Sequence, residues 1–151
     1  MKESFSFDVK KPAGEVFASL TDLQRIAEMS DGKLVIKPVP DRPRAGIGSA
    51  CYLSADIPGA PAGAGKDILC ETLEWLPPKS CTRKFGIPDL PTTAAIKVED
   101  IPGGGSRLTV EVEVIPESMM YKMMLPALAL KLKLDKEKMV AQLQKQLDTQ
   151  K

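Results

Sequence analysis

Between residues 33 and 116 the chain consists of short apolar and β-branched runs separated by glycine and proline. Such runs predict strands, and the punctuation predicts the turns between them. The last run is the clearest, because Leu108, Val110, Val112 and Val114 alternate with polar residues, as in an antiparallel sheet with one wet face. Six strands are predicted, at residues 33–39, 48–57, 66–75, 80–86, 92–100 and 106–115. This pattern restricts the chain to folds built on a meander of neighbouring antiparallel strands.

The segments on either side of the meander have different patterns. Residues 4–9 alternate polar and apolar and predict one further strand. Residues 13–29 carry apolar residues at three- and four-residue spacing, which predicts one broken helix or two short ones, with Asp22 capping the second. Residues 117–150 contain no glycine and one proline, Pro126, and carry an apolar stripe at roughly helical spacing that includes Met120, Met124, Leu143 and Leu147. They predict a long C-terminal helix that is kinked or irregular at Pro126 and packs against the concave face of the sheet. The whole chain, 1–151, is predicted to form a single α+β domain.

The composition excludes several classes of function. The chain has no histidine, which removes Ser-His-Asp and Cys-His nucleophile pairs and His-ligated metals. The three cysteines, Cys51, Cys70 and Cys81, lack the spacing of a zinc site and are predicted to be reduced thiols, so no metal and no cofactor is expected. Lys and Arg number 21 against 20 Asp and Glu, which argues against a nucleic-acid partner. With no signal-peptide pattern and no transmembrane segment in the sequence, we expect a cytoplasmic protein.

Four short stretches occur in an order typical of one superfamily. They are Pro12 followed by Glu15-Val16-Phe17 and Thr21-Asp22; Gly46-Ile47-Gly48-Ser49; Glu74-Trp75-Leu76-Pro77-Pro78 at the end of a strand; and Gly103-Gly104-Gly105-Ser106-Arg107-Leu108-Thr109. Together they resemble the START/birch-pollen-allergen-like (SRPBCC) superfamily, and within it the polyketide cyclase/dehydrase and lipid-transport branch. The chain departs from that pattern at Met29, where an aromatic residue often ends the second helix.

The resemblance implies a helix-grip fold. In this fold a curved antiparallel sheet of six to seven strands wraps around a long C-terminal helix, and two short helices follow the first strand. An elongated, mostly apolar cavity lies between sheet and helix. The superfamily has no universal catalytic residue, so no catalytic position carries over to this chain.

The sequence therefore predicts a protein that binds, and in doing so transports or sequesters, a small hydrophobic or lipid-like ligand between the sheet and the C-terminal helix. The cavity candidates are apolar or aromatic residues of the strands and of the start of that helix. Four of them are methionines within six residues, whose unbranched side chains adapt to varied apolar partners. The candidates are Leu53, Trp75, Phe85, Ile96, Val112, Met119, Met120, Tyr121, Met123, Met124 and Leu128.

Two other functions stay open at this point. One is a polyketide cyclase- or dehydratase-like enzyme that uses Tyr52, Tyr121 or a cavity carboxylate, although the sequence contains no identifiable catalytic constellation. The other is a protein-interaction module with a filled core. Residues 117–151 carry seven lysines against four acidic residues, so the helix offers a weak peripheral contact with an anionic membrane as an alternative to lysines that simply face water.

Overall fold

A computed structural model describes residues 1–43, 45–55, 63 and 65–149 of the chain. For the helical residues Met29, Leu128, Leu132, Asp135, Met139, Gln146 and Thr149 it describes the backbone alone. Residues 56 and 57, predicted to end a strand, lie outside the described residues. The elements, in chain order, are β1 (Lys2–Val9), α1 (Ala13–Thr21), α2 (Leu23–Met29), β2 (Leu34–Pro38), β3 (Ala50–Ala55), β4 (Ile68–Leu76), β5 (Ser80–Phe85), β6 (Thr92–Asp100), β7 (Ser106–Val114) and α3 (Met119–Thr149).

The seven strands form one curved antiparallel sheet in the order β1-β7-β6-β5-β4-β3-β2. Because β1 and β2 lie at opposite edges, the α1–α2 segment has to carry the chain across one face of the sheet. α1 contacts β6 and β7, and α2 contacts β2. Two aspartates hold these helices in place. Asp100 Oδ1 accepts the Ala13 N–H at 3.0 Å, and Asp22 Oδ1 accepts the Arg25 N–H at 3.2 Å, which confirms the predicted cap.

The face of the sheet beneath α1 and α2, here called the inner face, carries two hydrophobic clusters. The first lies on β1, β7 and β6, where the fully buried Leu108 pairs with both Phe7 and Val98. The second lies on β3 and β4 and is centred on Leu53 and Ile68. Alternation along the strands places these residues on one face and leaves the polar residues between them for the opposite face.

A β-bulge in β4 decides which side chains face inward near the middle of the sheet. The register shifts between Thr72 and Glu74, so that Glu74 pairs with Thr82 and Trp75 pairs with Cys81. In a regular strand, alternate residues share a face, and Glu74 would follow Thr72 onto the inner face. The extra residue in the bulge reverses this alternation and turns Trp75 inward in place of the carboxylate.

α3 is held to the sheet by its C-terminal half. Lys136 Nζ donates to the carbonyl oxygen of Ser4 at 2.8 Å, and Gln144 Nε2 donates to that of Asp8 at 2.5 Å. Both carbonyls belong to β1, an edge strand whose free backbone groups need partners. Apolar side chains of the same half pack against the first cluster: Val140, Leu143 and Leu147.

The N-terminal half of α3 is largely exposed. The predicted apolar stripe included Met120 and Met124, which are 50% and 36% exposed, while Leu147, further along the same stripe, is 4% exposed. The expectation that the whole stripe faces the sheet is therefore wrong for these two methionines. Hydrophobic spacing predicts a helix and its apolar side, but it does not say which turns of a long helix meet the sheet. In the described part of the chain, no helix has the length and hydropathy needed to span a membrane.

Candidate ligand-binding cavity

A cavity of about 1160 Å³ lies between the α1–α2 pair and the inner face of the sheet. This is slightly larger than the usual pocket for a small molecule, about 300–1,000 Å³. One face of α1 forms the roof, because residues at three- and four-residue spacing share a side of a helix. The roof residues of α1 are Gly14, Phe17, Ala18 and Thr21.

The floor of the cavity lies between the two hydrophobic clusters. There Thr72 of β4 and Arg83 of β5 are cross-strand partners that line the cavity, and Ala94 of β6 continues the same row beyond the lining. The rows on either side of it carry the larger apolar groups of the clusters, such as Trp75 and Phe85. The inner face therefore holds a row with a polar hydroxyl, a cation and a methyl group where a continuous core would hold three large apolar side chains.

Roof and floor meet at an aromatic pair. The rings of Phe17 and Trp75 have centroids 5.3 Å apart and are tilted by 57°. Trp75 is the single tryptophan of the chain and lines the cavity. Its fluorescence therefore reports on what enters.

Arg83 is fixed by two hydrogen bonds. Its Nη2 donates to the carbonyl oxygen of Thr21 at 2.8 Å, which ties β5 to the last residue of α1. Its Nε donates to Thr72 Oγ1 at 3.4 Å, and the same oxygen accepts a 2.8 Å bond from Ser49 Oγ. Because Thr72 is buried and held from two sides, it positions the guanidinium rather than following it.

Arg83 is not among the cavity residues predicted from the sequence, although the sequence carries a signal for it. In β5, Arg83 alternates with Cys81 and Phe85, so an inward-facing Cys81 requires an inward-facing Arg83. A cation on the apolar face of a strand is unusual enough to mark a site.

Two thiols lie beside Arg83 on the floor. Cys51 and Cys70 are cross-strand partners, and both line the cavity. A hydrogen bond from the Cys70 thiol lowers the pKa of Cys51 to about 7, with the positive charge of Arg83 acting in the same direction. The same pairing and its burial raise the pKa of Cys70, and burial raises the pKa of Cys81. Cys51 is thus the thiol best placed to be a thiolate near neutral pH.

The predicted strand candidates lie on the inner face but mostly in the core. Trp75 lines the cavity. Leu53 and Phe85 belong to the second cluster, and Ile96 packs against the first. Val112 pairs with Ala94 and is half-buried.

The predicted helix candidates lie away from this cavity. Met119 and Met123 are 71% and 75% exposed, Tyr121 is buried, and the side chain of Leu128 lies outside the described residues. Among the side chains that the structure describes, none from α3 lines the cavity. This cavity has α1 and α2 as its roof, because they carry the chain across the sheet, whereas the sequence placed the cavity between the sheet and the C-terminal helix.

The polar residues available for catalysis are few. Tyr52 pairs with Lys37 and Leu69 on the outer face of the sheet, and it is 36% exposed. Two carboxylates, Asp22 and Asp41, line the cavity, and Asp22 is engaged as the cap of α2.

No family model matches the chain, and no curated protein matches it. Several solved structures do. Truncated norcoclaurine synthase from Thalictrum flavum has a TM-score of 0.64 at 12% identity, and the match covers 84% of this chain and 82% of the synthase chain. Ara h 8.0201 has a TM-score of 0.61 at 15% identity, covering 79% and 80%. An HSP90 activator from Plasmodium falciparum has a TM-score of 0.57 at 18% identity, covering 80% and 78%. The fold is that of the START/birch-pollen-allergen-like superfamily.

The predicted START-like helix-grip fold is therefore confirmed. Identities this low establish the fold alone, since one fold serves many functions. The function of this chain has to be argued from its own cavity, whose lining includes Thr72 and Arg83.

Proposed function

We propose that this protein binds a small hydrophobic molecule in the cavity between α1–α2 and the sheet. The proposal rests on a cavity of about 1160 Å³ on the inner face of the sheet, where large apolar side chains would otherwise fill the core. Apolar groups such as Phe17, Ile36 and Trp75 line it. Removing apolar ligand surface from water there contributes roughly 25 cal/mol per Å², before the costs of ordering the ligand.

The proposal is supported by the same fold in a protein whose solved structure contains a bound molecule. A norcoclaurine synthase point mutant in complex with a transition-state analogue has a TM-score of 0.63 to this chain. A protein-interaction module with a filled core is the less favoured function, because a cavity of about 1160 Å³ remains beneath α1 and α2. The enzyme alternative is also less favoured, because Tyr52 lies on the outer face and Tyr121 lies on α3 outside the cavity lining. Of the two cavity carboxylates, Asp22 is engaged as the cap of α2, which leaves Asp41 as the candidate for that alternative.

The test is a titration with N-phenyl-1-naphthylamine, an uncharged dye whose fluorescence rises in apolar surroundings. Ala18 lines the cavity from α1 and is exposed to solvent, so the added indole of Ala18→Trp displaces water rather than buried core atoms. Ala127→Trp makes the same change at an exposed position of α3. We expect saturable binding to the wild type, at least tenfold weaker binding to Ala18→Trp and unchanged binding to Ala127→Trp.

Circular dichroism melts confirm first that the three proteins are folded. Absence of saturable binding to folded wild type would refute the proposed function. Equal affinities of folded wild type and Ala18→Trp would place the bound dye elsewhere and remove this cavity from the function.

A further inference from the structure

We propose that the ligand is an amphipathic monocarboxylate, with its carboxylate held by Arg83 and its aliphatic body along the apolar walls. This inference rests on the proposed function and names the chemical class of its ligand.

The first observation is that the positive charge of Arg83 is not paired with a carboxylate of the residues that the structure describes. Lys2, Lys37, Arg42 and Arg107 each form an ion pair with an acidic side chain. Arg83 has no such partner in the described part of the chain.

The second cation of the lining, Arg42, is different. Its Nη2 lies 3.3 Å from Glu71 Oε2, and its Nε donates to the carbonyl oxygen of Gly48 at 2.9 Å. Its charge is therefore compensated within the protein. Arg83 meets a carbonyl and a hydroxyl, which accept hydrogen bonds but carry no compensating charge.

The unused donors of Arg83 suit a carboxylate. A guanidinium carries five N–H groups, and the bonds to Thr21 and Thr72 use two of them. Three remain, in a planar fork whose geometry matches two carboxylate oxygens. Because Thr72 and Thr21 hold the other edge, the fork is fixed before the ligand arrives, and little side-chain entropy is lost on binding.

The charge around the cavity favours a single negative charge. Arg83 and Arg42 line the space together with Asp22 and Asp41, and the charge of Arg42 is already paired with Glu71. A doubly charged head would therefore meet a single uncompensated cation, Arg83. The apolar lining favours an aliphatic body for the ligand. With Trp75 and Phe17 already packed on each other, the remaining apolar lining comes mainly from aliphatic and sulfur-bearing groups, including Ile36, Leu23 and Cys70.

The test compares decanoate with decanol, which share a chain and differ in the charged head. Each displaces N-phenyl-1-naphthylamine from wild type, Arg83→Gln and Lys84→Gln. Lys84→Gln removes the same charge from the neighbouring exposed residue of β5, whose side chain faces outward. We expect Arg83→Gln to lose about tenfold to a hundredfold in decanoate affinity, the range for a hydrogen bond to a charged group, and to keep its decanol affinity within threefold. Lys84→Gln should bind both like the wild type.

The outcomes separate the inference from the proposed function. If neither dye nor decanol binds folded wild type, the proposed function fails and the inference fails with it. If decanol binds but decanoate binds no more tightly, or if Arg83→Gln weakens both equally, the cavity stands and the carboxylate assignment is overturned. Decyl phosphate binding tenfold more tightly than decanoate would also overturn it, in favour of a dianion.

A second variant covers the case in which Arg83→Gln does not fold. Arg83→Lys keeps the charge but loses the planar fork. It should lose severalfold in decanoate affinity with decanol affinity unchanged. Decanoate affinity equal to that of the wild type in folded Arg83→Lys would overturn the role of the fork.

Discussion

The guanidinium of Arg83 donates a hydrogen bond from Nη2 to the carbonyl oxygen of Thr21 at 2.8 Å. The bond crosses the cavity from the floor of the sheet to the end of α1. It uses an orphan carbonyl, of the kind that the last turn of a helix leaves unpaired. Arg83 thus helps to fix the distance between α1 and the sheet. It also presents a positive charge to a molecule bound between them.

Thr72→Val should destabilise the fold by about 1–3 kcal/mol, because it leaves the buried Ser49 hydroxyl and the Arg83 Nε–H without their acceptor. Thr109→Val is the matched control. Its hydroxyl bonds Ser6 on the exposed face, so its loss should change stability by no more than about 0.5 kcal/mol. Urea unfolding measures both, and equal effects of the two variants would mean that Thr72 does not hold the polar row together.

Cys51 should react with iodoacetamide with a pH midpoint near 7, because its pKa is lowered to about 7 by the Cys70 thiol and by Arg83. An ordinary thiol, with a pKa of about 8.5, reacts mainly above that pH. Cys70→Ala removes the donor, so the midpoint should move upward toward the ordinary value. Peptide mass spectrometry follows Cys51 separately from Cys81. A midpoint that does not move in Cys70→Ala would rule out the thiol pair as the cause.

Met124→Lys should leave the affinity for N-phenyl-1-naphthylamine unchanged, because Met124 is 36% exposed on α3 and lies outside the cavity lining. Met123→Lys, at a 75% exposed position, is the control for the added charge. Dye titration on the folded variants measures the effect. A clear loss of affinity in Met124→Lys alone would support the sequence prediction that the methionines line the mouth of the binding site.

Leu147→Ala should destabilise the protein by about 2–5 kcal/mol, as expected for a leucine that is 4% exposed in the first hydrophobic cluster. Leu134→Ala makes the same truncation where the side chain is 74% exposed, and it should cost no more than about 0.5 kcal/mol. Thermal melts distinguish the two. Similar losses would mean that both halves of α3 are packed to the same degree in solution.

The sequence predicted the type of each element because local patterns carry that information. Alternation from Leu108 to Val114 predicted β7, and Asp22 marked the start of α2. The order of these elements, with four short stretches of turn and strand residues, was enough to predict the helix-grip fold. The alternation of polar and apolar residues indicates which side of a regular strand is buried, and it can be read from the strand's own sequence.

The position and the chemistry of the cavity were decided by the tertiary structure. Spacing along α3 predicted a helix with an apolar stripe, but only contacts with β1 determined that Leu147 is buried and Met120 is exposed. Sequence alternation alone would have placed Glu74 on the inner face, and the β-bulge replaced it by Trp75. Arg83 became a site residue only when Thr72 and Thr21, which are 11 and 62 residues away along the chain, were brought to its guanidinium. In a regular strand, local patterns determine which face a residue joins, whereas bulges, strand register and the path of the chain across the sheet decide which residues meet on that face.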